Sequence, residues 1–162
     1  MYEKKLEFGG LKMQLIKAKE EHISELVRIS KEAFDSDVFV GATEIGGPPE
    51  YNSFEWHIDM MKEGHLFTAV DNDKIVGGAI IFLDANNASI MYIGRIFVNP
   101  SYFKKGYGIA IMEQIENLYP NISIWELDTP VWNIRTNRFY KRIGYKEIKR
   151  DNEFVYYRKI KH

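Results

Sequence analysis

Two lysines and two glycines at the start of a predicted helix form the stretch best suited to bind an anion. Lys104-Lys105-Gly106-Tyr107-Gly108 follows an apolar strand that stops at Asn99-Pro100, and it opens an amphipathic helix. The first N–H groups of a helix have no intrahelical partner and carry the positive end of its dipole, so they bind anions readily. The glycines let a phosphate reach the backbone, and the lysines add positive charge. The segment therefore predicts a phosphate or diphosphate site.

This loop differs from the common nucleotide-binding loops. It lacks the Gly-Lys-Ser/Thr sequence that holds a nucleoside triphosphate and its metal. It also lacks the third glycine of the dinucleotide-binding fingerprint. A glycine pair is common where a helix packs closely, and a lysine pair is common on solvated surfaces. On the loop alone, that structural interpretation stays open.

A later helix, predicted over residues 133–143, presents two carboxamides and a phenol in one line. Asn133, Asn137 and Tyr140 are separated by four and three residues, so they share a face. The neighbouring face, predicted to pack on the sheet, carries Thr136, Phe139 and Ile143. In the alternative interpretation, Asn133 caps the helix and Tyr140 is a half-buried core aromatic.

The elements that position these residues follow from the hydrophobic periodicity and the turn signals. Strands are predicted at 13–17, 66–70, 75–83, 89–98, 122–127, 145–148 and 154–160. Helices are predicted at 20–34, 52–63, 106–119 and 133–143, with Asn52 and Glu55 as a capping box for the second. Gly77-Gly78 predicts a bend in its strand. The order β-α-α-β-β-β-α-β-α-β-β predicts an α/β fold, with a mixed, mostly antiparallel central sheet flanked by four helices.

Composition narrows the class of protein. The chain has 162 residues, the size of one domain over 1–162, and a net charge of -1, which argues against nucleic acid as a main ligand. It has no cysteine, which excludes disulfides, thiolate metal sites and a cysteine nucleophile. The four histidines show no ligand spacing, so no metal is expected. With no apolar run near the ~18 residues of a membrane span, we expect a cytoplasmic protein without a membrane partner.

The two motifs together resemble the GNAT superfamily of N-acetyltransferases. Its acyl-CoA motif, a strand ending Val-x-Pro followed by Gln/Arg-x-x-Gly-x-Gly/Ala, is similar to Val98-Asn99-Pro100 and Phe103-Lys104-Lys105-Gly106-Tyr107-Gly108. Its later motif, Asn-x-x-Ala-x-x-Phe-Tyr-x-x-x-Gly-Phe, is similar to Asn133, Thr136, Phe139, Tyr140, Gly144 and Tyr145. The element order from Met13 to Ile160 fits as well, so the resemblance covers nearly the whole chain.

The resemblance implies acetyl-CoA as co-substrate and a role for each motif residue. The backbone of Phe97 and Val98 would contact the pantetheine arm, and Asn133 and Asn137 would lie beside it. Tyr140 would lie near the thioester sulfur. The pyrophosphate would be held by the amides of Lys104, Lys105, Gly106, Tyr107, Gly108 and Ile109.

Two positions depart from the family pattern. Phe103 replaces the usual Gln or Arg, which removes one polar contact to the pyrophosphate that Lys104 and Lys105 would have to supply. Many relatives place a Glu general base near Ile93 or Gly94, and no carboxylate is there.

The reaction implied is direct attack of a primary amine on the thioester. The Val98 N–H is a candidate donor to the oxyanion, and Tyr140 is the candidate general acid for the departing sulfur. Asp128 and Glu126 are the candidate bases, because alternate residues of a strand share one face. Solvated or structural carboxylates, or a water chain in place of a base, remain alternatives.

The acceptor site is expected between the first two helices and the loop 35–51, since long loops are often functional. Four aromatic residues are predicted to shape it: Phe34, Phe39, Tyr51 and Trp132. Four acidic residues are predicted to attract a cationic amine, unless they are merely solvated: Asp35, Asp37, Glu44 and Glu50. His57 is near enough to touch substrate, although an ordinary surface or half-buried role is as simple.

Three further possibilities stay open at this stage. The missing strand Glu and the Phe103 substitution motivate a catalytically weak GNAT-fold module that senses acyl-CoA or a metabolite. The same glycine loop would also serve a nucleotide-binding module. A homodimer through the last strands or an exposed sheet edge is compatible with the sequence, which leaves the acceptor amine unidentified.

Overall fold

A computed structural model describes residues 6–8 and 11–161 of the chain. Within these residues, eight strands form one sheet in the order β1-β2-β3-β4-β5-β6-β8-β7. The strands are β1 Leu6–Phe8, β2 Leu11–Lys17, β3 Leu66–Asp71, β4 Lys74–Leu83, β5 Ile90–Val98, β6 Ile124–Pro130, β7 Lys146–Arg150 and β8 Phe154–Ile160. The helices are α1 Ile23–Asp35, α2 Phe54–Lys62, α3 Tyr107–Leu118 and α4 Ile134–Arg142, with short 3₁₀ turns at Glu20–His22, Ser36–Val40 and Pro100–Tyr102.

The predicted fold class is confirmed, with a mixed, mostly antiparallel sheet and four helices. One strand was missed, β1, because three residues are too few to show a period of two. The helices form two layers. Helices α3 and α4 pack on one face of the sheet around Trp125 and Ile111, and α1 packs on the other face around Leu26 and Ile80.

The two central strands separate toward their carboxyl ends. Strands β5 and β6 are the one parallel pair in the described sheet, and they pair only where Ile90–Tyr92 faces Ile124–Glu126. Strand β5 nevertheless stays paired with β4 as far as Val98, and β6 stays paired with β8 as far as Pro130. A wedge-shaped gap therefore opens between β5 and β6. Carboxyl ends of strands that diverge in this way are where open α/β sheets bind ligands.

A bulge in β5 redirects side chains beside this gap. Ile80 faces Arg95 and Ile81 faces Ile93, so Gly94 is an extra residue in β5. Before the bulge, Ile93 packs in the core under α3; after it, Phe97 packs in the core under α1. Because side chains alternate along a strand, Arg95 lies on the same face as Phe97.

The predicted bend at Gly77-Gly78 is also present. The register between β3 and β4 shifts just before Gly77, where Ala69 faces Gly77 but Val70 faces Ile75. A Cβ atom added to Gly77 would lie 2.3 Å from the Phe97 carbonyl oxygen. Only glycine allows β4 and β5 to approach this closely at the edge of the gap.

Two details of the helices differ from the sequence prediction. Ser53, rather than Asn52, caps α2, because its hydroxyl accepts a hydrogen bond from the Trp56 N–H at 3.1 Å. In α4 the predicted sheet-packing face is only partly buried, and Tyr140 is the buried residue of the helix.

Candidate active site

A row of six free backbone amides lies at the start of α3. Gly106 is the N-cap with a φ of 87°, and Lys104 also has a positive φ, of 63°. Among the described residues, the N–H groups of residues 104–109 donate no well-formed hydrogen bond. The Phe103 N–H, by contrast, already donates to the Pro100 carbonyl. Alternating left-handed residues turn successive N–H groups toward one point and form an anion-binding concavity. The backbone can therefore accept a phosphate or diphosphate without losing any internal hydrogen bond.

The surroundings of this row are cationic. The first turn of α3 carries no acidic residue. Lys105 lies over the Tyr102 ring, with its nitrogen 5.5 Å from the ring centre. Phe103, which stands where the family has Gln or Arg, carries the Arg135 guanidinium stacked 4.8 Å above its ring. The positive charge at this position is therefore supplied by Arg135 of α4 and not by the loop. The spacing of residues in the sequence gave no signal of this contact.

The last amide of β5 faces the gap. Asn99 N–H donates to the Val76 carbonyl in β4 at 2.8 Å. Successive N–H groups of a strand point to opposite edges, so the Val98 N–H points away from β4 and into the gap beside β6. The predicted oxyanion donor is therefore directed at the space between the splayed strands.

The two carboxamides of α4 serve the protein's own backbone. Asn133 caps α4, since its Oδ1 accepts from Thr136 N–H at 3.1 Å, and it is 2% exposed. Asn137 donates to the carbonyls of Pro130 and Asn133 at 3.0 and 2.8 Å. Its oxygen accepts from the Tyr157 hydroxyl at 2.6 Å. Asn137 therefore fixes the β6–α4 corner, and a contact of either carboxamide with pantetheine stays a prediction.

Tyr140 is a buried phenol without a hydrogen-bond partner in the described part of the chain. It is 8% exposed and is surrounded by the rings of Phe139, Tyr145 and Tyr157. Burial, reinforced by the charge of Asp128, raises the pKa of Tyr140 well above its ordinary value. The hydroxyl is therefore protonated at all physiological pH values and can donate a hydrogen bond to a new partner.

The two candidate bases have different environments. Asp128 accepts a hydrogen bond from the Tyr92 hydroxyl and lies close enough to Tyr140 to influence its pKa. Glu126 accepts from two nitrogens of Arg158, at 3.0 and 3.2 Å. Glu126 also lies in the paired part of β6, opposite Tyr92, before the gap opens. The structure thus brings Asp128, and not Glu126, together with Tyr140.

The loop between α1 and α2 packs against the end of β5. The Phe34 ring lies 6.2 Å from Tyr51 and 6.5 Å from Phe97, measured between ring centres. The Tyr51 hydroxyl donates to Asp35 at 2.7 Å, and Asp35 also pairs with Lys31 at 2.6 Å. Phe34 and Tyr51 therefore form a wall of the expected acceptor site, and Asp35 is already neutralised.

The same loop is tied to the start of α4. Asp37, which is 8% exposed, pairs with Arg135 at 2.8 Å. Burial raises the pKa of Asp37, although Arg135 and a hydrogen bond from Asn133 oppose the increase. Gly41 has a φ of 125°, and a Cβ there would lie 2.5 Å from the Trp132 carbonyl oxygen. The loop and the β6–α4 corner therefore form one rim.

Four of the residues predicted to form or attract substrate to the acceptor site are exposed here. Phe39 is 87% exposed, so its ring lines no packed wall. Trp132 is 41% exposed at the rim. Glu44 and Glu50 are exposed and have no ion pair among the described residues.

Two further residues lie under this loop: Arg95, which sequence reasoning did not select, and His57, for which it weighed a substrate contact against an ordinary surface or half-buried role. Arg95 stacks on Trp56, 4.2 Å from the ring centre, and its Nη2 donates to the Pro49 carbonyl. His57 is fully buried, with Nδ1 2.6 Å from the Ser53 carbonyl oxygen. Since a carbonyl only accepts, Nδ1 carries the proton, and burial lowers the pKa of His57. For Arg95, the available signal was a cation in an otherwise apolar strand.

Comparison with known proteins agrees with this geometry. The profile of the Acetyltransferase (GNAT) family matches residues 24–145. The chain is therefore a member of the GNAT acetyltransferase family, as its motifs predicted. No helix within residues 6–8 and 11–161 has the length and apolar character needed to cross a bilayer.

Among curated proteins, the chain is similar to the uncharacterized protein YrkN of Bacillus subtilis (strain 168). The two are 28% identical over 141 residues, which is 84% of this chain and 74% of YrkN. Among solved structures, the chain resembles a GNAT-family acetyltransferase from Streptococcus agalactiae 2603, with a TM-score of 0.80, 16% identity, and 93% and 96% of the two chains covered.

A second solved structure is the PaiA N-acetyltransferase of Thermoplasma acidophilum in complex with coenzyme A. Its TM-score is 0.78, with 16% identity, and 92% of this chain and 99% of that chain are covered. At this identity the likeness establishes the fold alone.

Proposed function

We propose that this protein is an N-acetyltransferase that moves an acetyl group from acetyl-CoA to a primary amine by direct attack. One observation carries the proposal: β5 runs along the gap that opens between it and β6, and leads into six consecutive amides at the start of α3 that have no acceptor among the described residues. A ligand with a diphosphate joined to a reactive group by an extended arm matches this arrangement. The amides would receive the diphosphate, and the gap would receive the arm.

The donor is bound mainly by backbone. The amides of residues 104–109 receive the diphosphate, with Lys104, Lys105 and Arg135 as nearby cations. The arm extends along the free edge of β5, where strand pairing with β6 has ended. This mode resembles addition of a strand to an open sheet edge. It places the thioester in the gap, at the Val98 N–H.

The chain then supplies two groups to the transition state. The Val98 N–H donates to the oxygen on which negative charge develops. The Tyr140 hydroxyl donates to the departing sulfur. A free phenol has a pKa near 10 and a thiol near 8.5, and burial raises both. The raised pKa of Tyr140 therefore does not prevent proton transfer, since a thiolate in the same enclosed space is equally destabilised.

Asp128 is the carboxylate that we assign to the amine proton. It is held by Tyr92 and lies near Tyr140 at the gap. It would act directly or through one water. We do not assign this role to Glu126, because the two nitrogens of Arg158 occupy it.

Replacing Tyr140 with phenylalanine tests the catalytic assignment. The change removes a hydroxyl that has no hydrogen-bond partner among the described residues, so it leaves the packing intact. A general acid contributes about 10²- to 10⁴-fold. We therefore expect kcat for acetyl transfer to an amine panel to fall at least ~100-fold, with little change in the Kd of acetyl-CoA by calorimetry.

A matched control is available in the neighbouring ring. Tyr145 is also a buried phenol with an unpaired hydroxyl, and its ring centre lies 5.9 Å from that of Tyr140. Tyr145→Phe should leave kcat within about twofold. Equal kcat in wild type and Tyr140→Phe would remove Tyr140 as the acid. Binding of acetyl-CoA without turnover of any amine would instead indicate a sensor.

A further inference from the structure

Arg95 lies at the floor of the acceptor side of the gap. It follows the Gly94 bulge in β5 and shares a face with Phe97, under the loop that joins α1 to α2. Its guanidinium is flanked by Trp56 on one side and by the Pro49 carbonyl on another. The amine that attacks the thioester must enter across this face, because α3 and α4 cover the other face of the sheet.

Arg95 has no ion-pair partner within the described residues. Its Nη1 is buried with no hydrogen-bond partner in the part of the chain that the structure describes. Burial lowers the pKa of Arg95 to about 10, and the charge of Glu50 opposes this decrease. Arg95 as a whole is half-buried, but a charged N–H donor held away from water without a partner is costly.

The geometry selects a planar anion as the missing partner. A guanidinium presents a rigid, planar set of N–H donors that matches a carboxylate. The stack on Trp56 and the bond to Pro49 fix the plane, which leaves Nη1 as the donor without a partner. Lysine would offer no such fixed plane.

The loop that encloses Arg95 has little regular structure around Pro49. Residues 41–53 contain no helix or strand, and Glu50, next to Pro49, has a φ of 64°. A non-glycine residue in this region is unfavourable. Segments with few regular hydrogen bonds open at low cost, so an entering molecule can reach Nη1 by displacing the loop.

We propose that Arg95 binds a carboxylate of the acceptor, so that the amine substrate is an amino acid or another small amine that carries a carboxylate. This inference rests on the proposed acetyl transfer and specifies its acceptor. It makes Arg95 a specificity-determining residue. A carboxylate bound there would fix the amine relative to the thioester.

The test compares each of the twenty standard amino acids with its own carboxamide, which lacks the negative charge. The measured quantity is the ratio of kcat/KM for the acid to kcat/KM for the amide. The wild-type ratio is divided by that of each variant, which cancels the different basicities of the two amines. The variants are Arg95→Gln and Arg95→Lys. Gln keeps a donor for the Pro49 carbonyl, and Lys keeps the charge without the planar fork.

A charge-assisted hydrogen bond corresponds to roughly a 10- to 100-fold effect. We therefore expect Arg95→Gln to lower the acid-to-amide ratio 10- to 100-fold and Arg95→Lys to lower it less. Arg28→Met is the control, because Arg28 is an exposed residue of α1 paired with Glu25 and Glu32. It should leave the ratio unchanged.

A purely structural Arg95, acting as a clamp between β5 and the loop, would give a different result. Arg95→Gln would then reduce kcat/KM for acids and amides equally, and the ratio would not change; this outcome overturns the inference. Transfer only to amines that lack a carboxylate overturns it as well, while the proposed acetyltransferase activity stands.

Failure of the proposed function is distinguishable. If no amine of any class is acetylated, the proposed acetyltransferase function is overturned. The carboxylate site at Arg95 is then tested by ligand binding alone. Amino acids added to the CoA-bound protein should raise the Tm of wild type but not of Arg95→Gln. The absence of any shift in wild type, or an equal shift in both, rejects the carboxylate site.

Discussion

Replacement of Gly106 by leucine should separate the binding role of the amide row from its structural role. Gly106 has a φ of 87°, where a non-glycine residue costs about 1–2 kcal/mol. For a chain of this size, 1 kcal/mol lowers Tm by about 2–4 °C, so we expect a loss of about 2–8 °C. The side chain would also stand among the N–H groups of residues 104–109 and exclude the phosphates.

The loss of affinity can be estimated from the same contacts. A hydrogen bond to a charged group contributes about 1.5–3 kcal/mol, so loss of even one amide–phosphate bond weakens CoA binding at least ~10-fold. Calorimetry with CoA measures the Kd, and thermal unfolding without ligand measures the strain.

Gly144→Leu is the matched control for strain. Gly144 has a φ of 100° but lies beyond the carboxyl end of α4, and a Cβ there would meet only Lys159 at 3.5 Å. It should lose stability to a similar extent and keep its affinity for CoA. If Gly106→Leu binds CoA as tightly as wild type, or if both variants weaken binding equally, the amide row does not hold the diphosphate.

Two further changes probe the charges around the gap. Arg135→Met should raise the Kd of CoA about three- to tenfold and make the Kd less dependent on salt, because the change removes the cation stacked on Phe103. Calorimetry at two ionic strengths measures both effects, and an unchanged Kd contradicts the prediction. His57→Gln should flatten the fall in stability below pH 6.5. Burial lowers the pKa of His57 in the folded state, so the unfolded state takes up the proton first as pH falls. The free energy of unfolding therefore decreases by up to about 1.4 kcal/mol per pH unit. Urea unfolding at pH 7.5 and 5.5 checks this, and an equal loss in both proteins would refute it.

The elements of this fold were predictable where local signals were strong. Gly106 and Pro120 bound α3 in the sequence, and the Asp151-Asn152 turn marked the final hairpin. The cap of α2 was misplaced by one residue because Asn52 and Ser53 are both good capping residues. Strand β6 extends three residues beyond the predicted end at Leu127, since pairing with β8 outweighs the strand-breaking tendency of Pro130.

The contacts of the candidate site were less predictable, since they join residues that are distant in sequence. Arg135 lies 98 residues from Asp37 in the chain, yet the two form an ion pair. The interaction of Asp128 with Tyr92 depends on the parallel register of β5 and β6, which no local pattern specifies. Motif spacing could identify Tyr140 and the amide row. It could not tell which carboxylates would be free to act.

The paired and unpaired charges around the loop indicate what kind of acceptor the site would favour. Sequence reasoning predicted that acidic loop residues would attract a cationic amine. Asp35 is instead bonded to Lys31 and Tyr51, and Asp37 is paired with Arg135. The half-buried group under the loop that lacks an ion-pair partner among the described residues is a cation, Arg95, whose Nη1 is buried. An amine with several positive charges and no anion would therefore meet repulsion at the floor of the site, whereas an amine that carries a carboxylate would remove an uncompensated charge as it binds.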